Sequence, residues 1–396
     1  MAVEQTSPKT IGIGVIGMGW MGLVHSRCHR AMSDRFCDEG IQARLAHCAD
    51  DVEARAVEGR DRFDFERCST DWHAVIDDAN VEAVVITAPN HMHAEIATAA
   101  AAAGKHIFCE KPVGRNPQET AQIEQAARQA GVLTGVGFNY RWAPVVMYAR
   151  QLIRDGRLGD ITHYRGRFFA DYGSNPDGVL SWRFQRQYAG LGTLGDLMAH
   201  VVDMAHNLAG PIKRVVSRPR TFITQRPIAT AGEGTHFSVN PDAPREVVTN
   251  EDYVGALADF ENGAVATFES CRVAKGTAAE LVFEINGTKG EIRWNYERMN
   301  ECTLHLSEGS SEHDGPTRIQ ANPNHPFFGN FYPGIGNAMG YEDLKMIEAF
   351  HFLKSVADGK QMEPGFAEML AVARVNGAMA RSWDSGTWED VRDIDM

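Results

Sequence analysis

The chain has 396 residues, 43% of them hydrophobic and 23% charged, which suits two soluble globular domains. A formal net charge of −13 argues against nucleic acid and anionic membrane surfaces as partners. The apolar stretches fall far short of a membrane span. Residues 1–10 carry one basic residue and no apolar signal core, and seven cysteines without a CxxC pair fit reduced thiols in a cytoplasmic protein.

Ile13, Val15 and Ile16 predict a first strand that runs into Gly17-x-Gly19-x-x-Gly22, with a helix over Leu23–Met32 behind it. The first glycine of such a loop allows the tight turn, the second lets the backbone approach a pyrophosphate, and the third lets helix and strand pack closely. The helix then offers unpaired N–H groups and the positive end of its dipole. This order predicts dinucleotide binding, with Gly17, Gly19, Trp20, Met21 and Gly22 as loop contacts. Ile41–Ala49 reads as the second strand and ends in Asp50-Asp51. An acidic residue there can bond the adenosine ribose hydroxyls; the offset exceeds the usual ~20 residues, and the polar segment Ser33–Gly40 absorbs the excess as a loop. Asp50 would also repel a 2′-phosphate. Like charges ~4 Å apart cost roughly 1–4 kcal/mol, which favours NAD over NADP.

Asp71–Asp77 reads as a short helix, and Val81–Thr87 as a buried parallel strand followed by a helix to Ala103 that stops at Gly104. Ligands bind at the carboxyl ends of such strands, which places Thr87, Pro89, Asn90 and His93 at the cofactor edge. His91 and His93 lack a carboxylate or cysteine in ligand spacing, so cofactor contact is the better reading and no metal is expected. The strand Lys105–Cys109 ends in Glu110-Lys111-Pro112, and the Lys111 ammonium can polarise a substrate oxygen. A helix over Pro117–Ala130 and a strand over Val132–Phe138 complete an alternation that predicts a doubly wound parallel sheet, the Rossmann pattern, in residues 1–138.

Residues 139–396 change pattern. After a helix over Ala143–Arg154 come strands at Ile161–Phe169, Val215–Thr224, Tyr253–Phe260, Ala264–Ser270, Glu280–Ile285, Glu291–Asn295 and Cys302–Leu306. Hairpin turns are expected at Asn262-Gly263 and Asn286-Gly287. This predicts an α+β domain with a large open, mostly antiparallel sheet, whose Val, Leu, Phe and Ile face is expected to be buried against another subunit. Glu308–Asn330 reads as a loop, and Glu342–Leu353 and Phe366–Met379 as amphipathic helices. Behind a glycine-rich turn, one helix over Leu194–Asp203 places Asp196 and His200 at i, i+4 and Asp203 a turn further on. The histidine suits a general base and the carboxylate its orienting partner; a purely structural Asp/His pair fits the same spacing.

Taken together, Gly17–Gly22 with His25, Thr87–His93, Glu110-Lys111-Pro112, Phe138-Asn139-Tyr140-Arg141 and Gly195-Asp196-x-x-x-His200-x-x-Asp203 resemble the glucose-fructose oxidoreductase / inositol 2-dehydrogenase / MocA (Gfo/Idh/MocA) family over nearly the whole chain. The resemblance implies an N-terminal Rossmann domain and an open sheet that mediates dimers or tetramers. It implies that Lys111, Asp196 and His200 are catalytic and touch substrate, with Tyr140 as a further substrate contact. Glu110, Lys111, Asn139, Trp182 and Arg183 join the cofactor or pocket contacts. Phe283–Gly290, Glu297–Glu301, Ser33–Gly40 and the pocket-lining candidate His325–Tyr341 resemble the subgroup of sugar and cyclitol dehydrogenases that includes levoglucosan and scyllo-inositol dehydrogenases. The implied activity is NAD-dependent oxidation of a ring hydroxyl. Two alternatives share the fold: glycoside processing by transient oxidation, and a non-enzymatic NAD-binding regulator.

Overall fold

The computed structural model describes residues 8–229, 237–307 and 314–392; residues 1–7 and the first part of the 308–330 segment lie outside them. Packing divides the chain into two units. The first comprises Met1–Gly114, Glu119–Trp142 and Met339–Met369, and the second Arg115–Gln118, Ala143–Ala338 and Leu370–Met396.

The first unit holds six parallel strands: β1 (Lys9–Ile16), β2 (Ile41–Ala49), β3 (Arg67–Ser69), β4 (Ala83–Ile86), β5 (His106–Cys109) and β6 (Thr134–Val136). Their order, β3-β2-β1-β4-β5-β6, is that of a doubly wound dinucleotide-binding sheet. The central strands β1, β4 and β5 are almost wholly buried apolar runs, as helices on both faces require. Helix α1 (Trp20–Arg35) starts three residues earlier and ends three later than the pattern predicts.

A single cut at residue 138 does not separate the two units. The helix at Tyr341–Asp358 packs within the first, because its inner face matches α1 and the turn after β6. Phe350 stacks on Phe36 with ring centroids 4.0 Å apart, and His351 stacks on Trp142 at 4.2 Å. Burial pushes the His351 imidazole down to about 4. Between pH 4 and 6.5 the unfolded chain therefore takes up a proton that the folded chain refuses, so this stabilisation is complete above 6.5 and is lost as pH falls toward 4. His351→Phe keeps the ring stack and removes the titration. Its stability loss between pH 7 and pH 5, measured by urea unfolding, is expected to be smaller than wild type's by on the order of 2 kcal/mol; an equal loss would contradict the assignment.

The second unit is built on a nine-stranded sheet. Its strands are β7 (Ile161–Ala170), β8 (Ile212–Arg220), β11 (Tyr253–Phe260), β12 (Val265–Cys271), β13 (Ala279–Gly287), β14 (Gly290–Asn295), β15 (Glu301–Leu306), β16 (Thr317–Gln320) and β17 (Glu389–Asp390), with β9 (Gln225–Pro227) and β10 (Arg245–Val247) as a separate hairpin. The order is β16-β15-β14-β13-β7-β12-β11-β8-β17, antiparallel throughout except for β7 and β12. β16 falls where the sequence predicts only loop, since four edge residues carry little periodicity. The second hairpin turns at Thr288-Lys289, because Asn286 and Gly287 still pair with Glu291 and Gly290.

The apolar face of this sheet is covered by the chain itself, not left for a neighbour. Tyr164, Phe168, Phe268 and Phe283 are buried there, and the helix α2 (Met198–Ala209) packs so closely that a Cβ on Gly166 would meet Val201 Cγ1 at 2.7 Å. The opposite face carries cross-strand ion pairs: Arg167 forks onto Glu280 at 2.8 and 3.0 Å, and Arg214 meets Asp259 at 2.6 Å. Among the described residues no helix is long and apolar enough to cross a membrane.

Candidate active site

In the first unit β1 delivers the chain into a glycine loop whose shape excludes side chains. Gly17 has φ +96°, and a Cβ there would meet Ala88 N at 2.7 Å. A Cβ on Gly22 would meet Gly17 O at 2.0 Å, while Gly19 has nothing within 4 Å. Thr87 Oγ1 donates to Gly17 O at 2.6 Å and so ties the end of β4 to the loop. Asp50, buried at the end of β2, accepts from the N–H groups of Met18 at 2.8 Å and Val52 at 3.0 Å. It thus braces the loop as well as standing at the expected ribose edge, and burial lifts its carboxyl above the ordinary value. Pro89 and Asn90 begin the helix Asn90–Ala102. Asn139 lies buried just after β6, and its Nδ2 has no hydrogen-bond partner among the described residues. A bare backbone loop, a buried carboxylate and an orphaned amide donor are a cradle that fits a nicotinamide dinucleotide.

Two residues expected to touch cofactor have other work. Both nitrogens of the buried His93 face main-chain carbonyls, Ala88 at 2.7 Å and Pro112 at 2.9 Å, so the imidazole joins the loops after β4 and β5. The Glu110 carboxylate turns inward and accepts from His25 Nε2 at 2.8 Å and Lys345 Nζ at 2.6 Å. These partners hold Glu110 well below the usual carboxylate range. Lys111 follows on the turn. His25, Glu110 and Glu348 also form a converging group of metal-ligating side chains, but the Lys345 ammonium bonds both carboxylates and supplies the positive charge there.

Trp20 is 61% exposed, yet its ring stacks on Tyr341 at 5.7 Å. The Tyr341 hydroxyl reaches Met21 Sδ at 3.6 Å, and Tyr140 meets the same ring edge-on at 6.5 Å. Tyr341, the last residue of the segment expected to line the pocket, thus gathers the exposed loop tip and the expected substrate contact.

In the second unit Asp196 and His200 do not share one helix. Thr193–Asp196 is a separate turn, broken from α2 at Leu197. Glu251 caps the start of this turn: its carboxylate accepts Leu194 N–H at 2.9 Å and its carbonyl accepts Thr193 N–H at 3.0 Å. A Cβ on Gly192 would meet Glu251 O at 2.2 Å. Asp196 Oδ2 accepts a hydrogen bond from Tyr172 Oη at 2.7 Å, a partner that its loop position hid from sequence reasoning. Burial and Asp196 together push the Tyr172 phenol well above its ordinary value, so it stays a donor. His200 and Asp203 are buried on α2, His200 beside Phe168 with ring centroids 5.9 Å apart. Arg183 lies over the Trp182 ring at 4.3 Å. Its carbonyl is held by Asn250 Nδ2 at 2.9 Å and Arg272 Nη1 at 3.1 Å.

Residues 11–138 match the oxidoreductase family's NAD-binding Rossmann fold, and residues 146–293 match the GFO/IDH/MocA C-terminal domain. Levoglucosan dehydrogenase of Pseudarthrobacter phenanthrenivorans is 36% identical over 387 residues, covering 98% of this chain and 99% of the relative. The scyllo-inositol 2-dehydrogenase (NAD(+)) of Bacillus subtilis is 26% identical over 75% of this chain and 77% of its own. A solved levoglucosan dehydrogenase in complex with NADH and levoglucosan superposes with a TM-score of 0.92 at 36% identity, covering 97% of this chain and all of that one. The chain is an NAD-dependent oxidoreductase and belongs to the Gfo/Idh/MocA family.

Proposed function

We propose that the protein oxidises a ring hydroxyl of an anhydrosugar or cyclitol, levoglucosan first among them, to the ketone. The near-full-length likeness to levoglucosan dehydrogenase carries this reading. NAD, when bound, supplies the hydride acceptor. Lys111 binds the reacting oxygen and favours its loss of a proton, His200 takes that proton, and Asp196, itself steadied by Tyr172, orients the imidazole. Gly17, Gly19, Trp20, Met21 and Gly22 seat the dinucleotide with Asp50, Thr87, Pro89, Asn90 and Asn139. Tyr140 contacts the sugar, and Trp182 and Arg183 border it. We further infer a cytoplasmic homo-oligomer, dimer or tetramer. Seven free cysteines support the compartment. Leu257 and Val265, each about half exposed on the outer side of the sheet, support the assembly.

The test is NADH formation by the pure protein at alkaline pH with levoglucosan, myo-inositol, scyllo-inositol, glucose and a simple glucoside, each with NAD and with NADP. Reduction of NAD by levoglucosan is expected to exceed all other pairs. Absorbance silence across the panel would overturn the reading, and release of a leaving group without net NADH would replace it with transient oxidation.

A further inference from the structure

Lys111 sits on a short turn, and its immediate neighbour Glu110 is bound from several sides. The Glu110 N–H donates to Ile86 O at 2.9 Å. Its Oε1 accepts from both His25 and Lys345, and Gly137 lies against the carboxylate, where a Cβ would come within 2.5 Å of Oε2. Lys345 donates a second bond to Glu348 Oε2 at 2.9 Å. Lys345 and Glu348 are fully buried and His25 is 1% exposed. Taking a lysine and two carboxylates out of water is costly, and well-packed apolar residues would fill the same space at no loss of stability. A buried ionic cluster beneath one turn is therefore better explained by what the turn carries than by packing. The cluster also draws its ammonium from the helix at Tyr341–Asp358, 235 residues away from Glu110 in sequence.

We propose that Lys345 and Glu348 are positioning residues for Lys111: they fix the carboxylate of Glu110, and with it the turn that presents the Lys111 ammonium. The inference rests on the role given to Lys111 above. The carboxylate Oε1 with two donors has one orientation, and a single peptide unit of ~3.8 Å separates the two α-carbons. A displacement of ~1 Å at a reacting group lowers a rate by about 10²-fold.

The experiment compares wild type with Lys345→Met/Glu348→Gln, which removes one charge of each sign and leaves the buried balance unchanged. With levoglucosan and NAD the double variant is expected to lose about 10²-fold in kcat. NADH binding, read by fluorescence titration, is expected to stay within about threefold of wild type. Uniformly deuterated levoglucosan is expected to give a larger primary isotope effect, as the chemical step becomes limiting. Glu348→Gln alone keeps Lys345 on Glu110; it is expected to lose about tenfold and serves if the double variant does not fold. A substrate-independent readout accompanies these. The lysines are reductively methylated with 13C-formaldehyde, and the Lys111 resonance, assigned with Lys111→Arg, is titrated by NMR. A changed titration in the variant supports the proposal. Wild-type kcat in a folded variant, or an unchanged Lys111 titration, overturns it. If wild type itself proves inactive on levoglucosan, the substrate reading fails, and the Lys111 titration decides the positioning role alone.

Discussion

His200→Ala is expected to lower kcat/KM for ring-hydroxyl oxidation by roughly 10²–10⁴-fold, the usual contribution of a positioned general base, while NADH binding is retained. The deficit is expected to shrink as pH rises and hydroxide takes over the proton. The imidazole belongs to α2, a helix packed against the sheet, with its ring beside Phe168; truncation to Ala removes the base without removing the helix. Tyr172→Phe should cost less, about tenfold, because it deletes one hydrogen bond to Asp196 and leaves base and carboxylate in place. The ranking matters more than either figure. A His200→Ala enzyme with more than a tenth of wild-type kcat/KM at neutral pH would remove His200 from the mechanism. A Tyr172→Phe loss equal to that of His200→Ala would move the tyrosine from a steadying to a catalytic role.

How far the sequence carried depended on the range of each interaction. The glycine loop, β2 and the strand ends at Thr87 and Cys109 were legible because their causes are local: a run of buried apolar residues, then glycines whose absent Cβ atoms make room for neighbouring backbone. The i, i+4 spacing of Asp196 and His200 looked like one helix; the fold interrupts it at Leu197, and the short turn before the interruption is capped by Glu251, more than fifty residues downstream in the chain. Lys345 was hidden for the same reason. A lysine on an amphipathic helix defaults to the surface, and only the folded chain brings it onto Glu110 and Glu348. Tyr172 carried no periodic signal at all, since it lies in the loop after β7. His93 shows another gap: its place at a strand end suggested a ligand contact and gave no sign that its ring nitrogens face two main-chain carbonyls.

Arg272→Met is expected to destabilise the second unit by about 3–5 kcal/mol, the range for breaking one side of a buried ion pair. Arg272 is 1% exposed and Asp252 fully buried. The guanidinium donates to Asp252 Oδ1 at 2.9 Å and Asn250 Oδ1 at 2.8 Å, and lies over the Phe184 ring at 4.5 Å. Arg226 covers the same ring at 3.9 Å, so Phe184 lies against two buried cations. Asp252 Oδ2 in turn accepts the N–H groups of Phe222 and Ile223. Methionine would fill much of the space but leave the carboxylate with those two donors and without the guanidinium that pairs with it. Because Arg272 Nη1 also holds the Arg183 carbonyl, the folded fraction should show a raised KM for sugar as Trp182 and Arg183 loosen. Urea unfolding and steady-state kinetics on the same preparation separate the two effects. Arg272→Lys keeps the charge but not the planar fork, and should recover only part of the loss. Adding Asp252→Asn to Arg272→Met removes the stranded charge and should return a further part. If the double variant is no more stable than Arg272→Met alone, the cost lies in lost packing around Phe184 and not in the ion pair.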